Sequence, residues 1–242
     1  MNKKTVNFQT NDGVKIVGDF YPVRNSPPPG PSGAHSAGAI SNGVYDVLRV
    51  KKSVILLHIL PGNRRDFNDM AGLLSGKGYN VLNIDERGHG DSEAWPGEMG
   101  SWQEFRQEDY DKMIFDVEAA ADWLKNQVKD TELATIGGSI GANLAMIFGA
   151  KDQPKIVVAL SPGIEYRGVK TEIASRNYRQ NFLIAASRDD EYAFESSEKL
   201  FEMSRAKVKE FIKYEDAGHG TRMLEREPEL KQRILDFLVK NF

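Results

Sequence analysis

Cysteine is absent from the 242-residue chain, which excludes disulfide frameworks, thiolate nucleophiles and cysteine-ligated metals. The absence suits a reducing cytoplasm. A strong charge imbalance is also missing. Lys and Arg number 32 against 35 Asp and Glu, a formal net charge of −3, so there is no general electrostatic reason to bind nucleic acid or an anionic membrane. No apolar run approaches the roughly 20 residues of a membrane-spanning helix, the longest lying near residues 54–60. Met1-Asn2-Lys3-Lys4 is positively charged, but polar residues follow where a secretory signal needs an apolar stretch. Nucleotide cradles are missing too, since no G-x-G-x-x-G or G-x-x-x-x-G-K-[ST] follows a strand-like segment. These absences predict a cytoplasmic protein with no nucleic-acid partner, no membrane span and no cofactor.

The length suffices for one large α/β domain with a full core. No linker interrupts residues 53–242, so a single domain over 1–242 is expected. Val6 and Phe8, then Val14, Ile16 and Phe20, alternate around Asn11-Asp12-Gly13, the pattern of an antiparallel hairpin. Residues 24–43, with Pro27-Pro28-Pro29 and scattered Gly, Ser and Ala, read as a surface loop or insertion lacking apolar mass of its own. From Ser53 the rhythm becomes regular. Val54-Ile55-Leu56-Leu57 is a continuous apolar run, as a parallel strand covered on both faces requires. Phe67, Met70, Ala71 and Leu74 follow at helical spacing, Val81-Leu82-Asn83-Ile84 is the next strand, and Met113, Val117, Ala120, Ala121 and Leu124 mark a second helix. Residues 131–136, 156–160 and 182–186 are further strands, and 207–214 is a more polar one suited to a sheet edge. Leu230, Ile234, Phe237 and Leu238 form the apolar face of a closing helix, with Pro228 at its first turn. Strands alternating with helices predict a doubly wound, mostly parallel sheet. Ligands in such sheets bind beyond the carboxyl ends of the strands.

Gly137-Gly138-Ser139-Ile140-Gly141 falls at one of those ends, between the strand 131–136 and a helix over 142–149. A G-x-S-x-G pentapeptide in that setting is a nucleophile elbow, a sharp turn that lifts the serine hydroxyl off the sheet. Serine needs an adjacent base, usually a histidine oriented by a carboxylate. The chain has four histidines, at 35, 58, 89 and 219. In the order serine, acid, histidine, only His219 comes late enough. The acid should follow the strand 182–186, where Ser187-Arg188-Asp189-Asp190-Glu191 offers three carboxylates. Asp190 is the first choice and Asp189 the competitor, the other aspartate capping the helix that begins near Tyr192. Two backbone donors should receive the oxyanion. One is the N–H of Ile140 at the helix start; the other lies in the loop 58–63, where Pro61 has no N–H and Leu60 is the better candidate.

With these motifs the chain resembles the lidless α/β-hydrolases of the serine esterase and dienelactone-hydrolase-like group. The likeness runs over residues 12–242 and rests on His58, on Asn83-Ile84-Asp85-Glu86-Arg87-Gly88-His89-Gly90-Asp91-Ser92, on the elbow, and on Gly218-His219-Gly220. It implies an α/β-hydrolase fold with an N-terminal antiparallel hairpin, and structural roles for His89 and Asp85 in a loop beside the site. Residues 161–181 are too short for a large cap. The family commonly has His-Gly where this chain has His58-Ile59, which bears on Leu60. Trp95, Trp102, Tyr166 and Tyr192 are expected in loops at the catalytic end, walling the pocket. The expected activity is hydrolysis of a small-molecule carboxylic ester through an acyl-enzyme on Ser139, Asp190 and His219. A thioesterase, peptidase or acyltransferase with the same triad is the alternative, or a non-catalytic binding protein of the same fold. A metal-dependent hydrolase is disfavoured because His58, Asp85 and His89 lack ligand spacing.

Overall fold

The computed structural model describes residues 3–23, 51–93 and 100–242. The Pro-rich stretch 24–43 and Trp95 lie outside the described residues. Strands β1 (Lys4–Gln9) and β2 (Lys15–Tyr21) form the expected antiparallel hairpin, with Phe8 opposite Ile16. They join β3 (Lys51–Leu57), β4 (Asn80–Asp85), β5 (Thr131–Gly138), β6 (Ile156–Leu160), β9 (Asn181–Ser187) and β10 (Val208–Tyr214) in one eight-stranded sheet. Its order is β1-β2-β4-β3-β5-β6-β9-β10, antiparallel as far as β4 and parallel beyond it. The order reverses direction at β3, the kind of switch point where such sheets open a ligand crevice.

Alternation along β3 shows how the apolar run is used. Val54 and Leu56 enter one core with Met70, Ala71 and Leu74 of α1 (Asn68–Gly76). Ile55 and Leu57 enter the opposite core with Val117, Ala120 and Leu124 of α3 (Ile114–Gln127), which follows α2 (Gln107–Lys112). A strand covered on both faces has no polar side to show, and hence the unbroken hydrophobic sequence. Helix α4 (Ile140–Asp152) adds Leu144, Ala145 and Phe148 to the second core. On the first face the closing helix, α8 (Glu229–Asn241), adds Leu230, Ile234 and Leu238, after the short α7 (Met223–Arg226). The polar strand β10 does sit at the edge. Between β6 and β9 lie only a small hairpin, β7 (Glu165–Tyr166) with β8 (Val169–Lys170), and α5 (Glu172–Asn177), so no large cap covers the sheet end among the described residues. Helix α6 (Glu191–Met203) separates β9 from β10. No helix among the described residues is long and apolar enough to cross a membrane.

Candidate active site

Ser139 sits between β5 and α4 at φ 54°, ψ −121°, a left-handed backbone that L-residues avoid unless the surroundings impose it. The surroundings here are close backbone contacts. A side chain on Gly137 would run into the Gly141 carbonyl, and one on Gly141 would lie 2.6 Å from the Leu57 oxygen. Nothing larger than glycine lets strand, turn and helix approach this closely. The Ser139 N–H donates to Leu160 O at 2.9 Å, and its carbonyl accepts from Ala142 N and Asn143 N. Ile140 opens α4, so its N–H has no partner within the helix and remains available to an anion.

Asp190 and His219 come together from two neighbouring strand ends. His219 Nδ1 lies 2.5 Å from Asp190 Oδ2, a separation at which the ring nitrogen donates to the carboxylate. Hydrogen bonds zip the two loops in register: Arg188 N–H donates to Tyr214 O, Asp189 N–H to Glu215 O, and Ala217 N–H to the side-chain Oγ of Ser187. Asp189 turns the other way. Its Oδ1 accepts from Gly218 N at 3.1 Å and its Oδ2 faces Arg226. Asp190 occupies the cap position of α6 without a side-chain capping bond, and Asp189 does not cap that helix either. The sequence expectation that one aspartate would serve as cap is thereby corrected, because the loop after β10 takes up both carboxylates.

The loop after His219 reaches Ser139. A methyl group on Gly220 would lie 3.7 Å from Ser139 Cβ and 3.5 Å from Ser139 N, and one on Gly138 would lie 3.3 Å from Thr221 N. Among the described residues no hydrogen bond yet joins the hydroxyl to the imidazole. Such bonds are often long before substrate enters and tighten in the complex. Tyr166 stands edge-on to His219 at 5.9 Å and contacts Tyr192 at 5.7 Å. Burial, with the Asp190 charge adding to it, pushes the Tyr166 phenol well above its ordinary pKa. The two tyrosines were expected in loops; Tyr166 lies in β7 and Tyr192 in the first turn of α6. Trp102 stacks on His89 rather than standing free.

Leu60 lies in a tight turn closed by Gly62 N–H to Ile59 O at 2.9 Å. Two imidazoles face carbonyls of this turn. His58 Nδ1 is 2.7 Å from Ile59 O, and His89 Nε2 is 2.5 Å from Leu60 O. On its far side His58 Nε2 faces the Glu86 carboxylate, to which the protonated ring donates, with the Glu86 backbone nitrogen 3.1 Å away. Burial opposes a charge on His58, but Glu86 outweighs it and raises the imidazole above its ordinary value. Burial, helped by His58, lowers His89. A carbonyl oxygen only accepts, so Nδ1 of His58 must carry the proton that Ile59 O receives. A trans peptide whose oxygen is held this way aims the Leu60 N–H in the opposite direction. Glu86 was not singled out as a site residue in the sequence. Its position at the end of β4 was the available signal.

Residues 49–179 match the family described as serine aminopeptidase, S33. No curated protein matches the chain. Among solved structures, an esterase from Pyrococcus furiosus is 22% identical with a TM-score of 0.73, over 99% of this chain and 91% of that one. A dienelactone hydrolase from Anabaena variabilis is 16% identical with a TM-score of 0.71, over 100% of this chain and 96% of its own. An α/β serine hydrolase without lid from Xanthomonas campestris is 14% identical with a TM-score of 0.69, over 98% and 94%. These likenesses establish an α/β-hydrolase fold without a cap.

Proposed function

The chain belongs to the serine aminopeptidase S33 family of α/β-hydrolases, and from that premise we propose that it is a single-domain, cytoplasmic serine hydrolase that cleaves small carboxylic esters. Ser139 attacks the acyl carbon as His219 Nε2 takes its proton. Asp190, bonded to Nδ1, fixes the tautomer and stabilises the imidazolium. The N–H groups of Ile140 and Leu60 receive the oxyanion. Collapse of the tetrahedral intermediate expels the alcohol, which takes the proton from His219 and leaves an acyl-Ser139. Water activated by the same imidazole then releases the acid.

The observation that carries this reading is the 2.5 Å bond between His219 and Asp190, on a loop that abuts the strained Ser139 turn. The esterase and dienelactone hydrolase of like fold favour esters and lactones as the substrate class. The family's description makes the peptide bond of a short aminoacyl amide the second reading. Ser139→Ala is expected to abolish turnover of p-nitrophenyl acetate while leaving the melting temperature unchanged. Undiminished turnover in that variant overturns the mechanism. An aminoacyl p-nitroanilide assayed beside the ester separates the two substrate classes.

A further inference from the structure

Resting on the reading of Ser139 and His219 as nucleophile and base, we propose that Ser161 is a positioning residue that holds the two in register. Ser161 follows β6 and is fully buried, with φ at 52°, in the region that disfavours a serine. Its own N–H donates to Ala185 O at 2.8 Å, tying it to β9. Its Oγ accepts the N–H of Gly220, the residue after His219, at 2.9 Å. The carbonyl immediately before it, Leu160 O, accepts the N–H of Ser139 at 2.9 Å. One dipeptide, Leu160-Ser161, therefore grips the backbone of the nucleophile on one side and the backbone of the base's loop on the other.

The left-handed turn belongs to this clip. It ends β6 at the residue whose carbonyl holds Ser139 and presents the next side chain to Gly220. Tyr166 closes it from above, with its hydroxyl donating to Ser161 O at 3.2 Å and its ring against His219. Tyr192 steadies Tyr166 in turn. Its hydroxyl accepts from Glu165 N–H at 3.2 Å and donates to Glu165 O at 2.8 Å, bracketing the small hairpin. Asp190 fixes the ring of His219 at Nδ1, and Ser161 fixes the backbone that carries the ring. Errors of about 1 Å between reacting groups cost on the order of a hundredfold in rate, so a bond that sets the loop's height acts on kcat.

Glycine at 161 separates catalysis from folding, because it loses the Oγ acceptor and relieves the positive φ together. Ser161→Gly should keep or raise the melting temperature while kcat for p-nitrophenyl acetate falls roughly ten- to a hundredfold and KM stays within about twofold. Labelling by a fluorophosphonate should slow in parallel. Ser161→Ala should lose the same kcat with a lower melting temperature, since it keeps the unfavourable φ. Tyr166→Phe should show a smaller fall of the same kind. Full kcat in Ser161→Gly, or a loss of kcat that merely tracks a lowered melting temperature, overturns the proposal. Ser139→Ala assayed alongside keeps the two readings apart. If that variant retains turnover, the nucleophile is misassigned and the clip falls with it. If it is dead and Ser161→Gly is unimpaired, only the clip is wrong.

Discussion

Two clusters of charge at the carboxyl end of the sheet are built in opposite ways. At and just after the end of β4, Asp85, Glu86, Arg87 and His89 are all buried. Arg87 binds Asp116 through Nε and Asp12 through both terminal nitrogens, and Arg64 bridges Asp85, Asp91 and Asp19. After β9 and β10, the side chains of Asp190 and His219 are 20% and 33% exposed and share one bond, beside the buried Ser139. A buried charge with two fixed partners is expensive to discharge, since removing one partner strands the other. In the proposed mechanism, an imidazole anchored at one nitrogen offers the other to the serine and the substrate. On the proposed reading, the molecule separates a buried, many-partnered charged flank from a rim that handles the proton. Glu86 is the exception within the flank. Its carboxylate oxygens are buried without an aligned hydrogen bond, and the contact with His58 is its only evident compensation among the described residues.

The comparison breaks most sharply if changes on the two sides have the same signature. Asp190→Asn should lower kcat by about four orders of magnitude through loss of the correct tautomer, with the melting temperature unmoved. Asp189 faces the Gly218 N–H, Arg226 and Ser187 and makes no bond to His219 among the described residues, so Asp189→Asn should leave kcat within about tenfold. The reverse ranking in steady-state assays would hand the role to Asp189. On the flank, Asp116→Ala strands the Arg87 guanidinium beside Asp12 alone. It should cost roughly 3 kcal/mol in urea unfolding, while kcat per folded molecule changes little. A flank variant that unfolds no more easily than the parent, or one that loses kcat while remaining folded, would erase the division.

The sequence made the flank's fold legible and the rim's details less so. Parallel strands buried on both faces leave continuous apolar runs, which is why β3, β4, β6 and β9 stand out. The hairpin of β7 and β8 has two residues per strand, too few to show any period, and it carries Tyr166. The elbow was readable because steric crowding demands its glycines. Asp190 was the first choice with Asp189 left as competitor, since adjacent residues at a helix start point to different sides and only the β10 loop decides which meets the imidazole. Ser161 escaped notice for a related reason. A serine after a strand has no motif, and its meaning depends on a left-handed φ and a bond to Gly220 across 59 positions.

Acid sharpens the same contrast at smaller amplitude. Burial opposes the ionised forms of Asp12 and Asp19, but Arg87 and Thr10 outweigh it at Asp12, and Lys3, Thr5 and Arg64 at Asp19, so both pKa values lie below the ordinary 3.8. A carboxylate whose folded pKa is depressed contributes stability that is fully present above the unfolded value and lost as pH falls through the folded one. That loss begins below about pH 4 and is concentrated where the two side chains sit, in the β1–β2 turn and in β2 beside β4. Amide hydrogen exchange followed from pH 5 to 3, after correction for intrinsic rates, should therefore show protection falling first in β2. Protection in β5 and α4, packed between apolar cores and carrying the Ser139 turn, should persist longer. Loss in the opposite order would mean that the elbow's strain, rather than the flank's ion pairs, sets the acid limit of the fold.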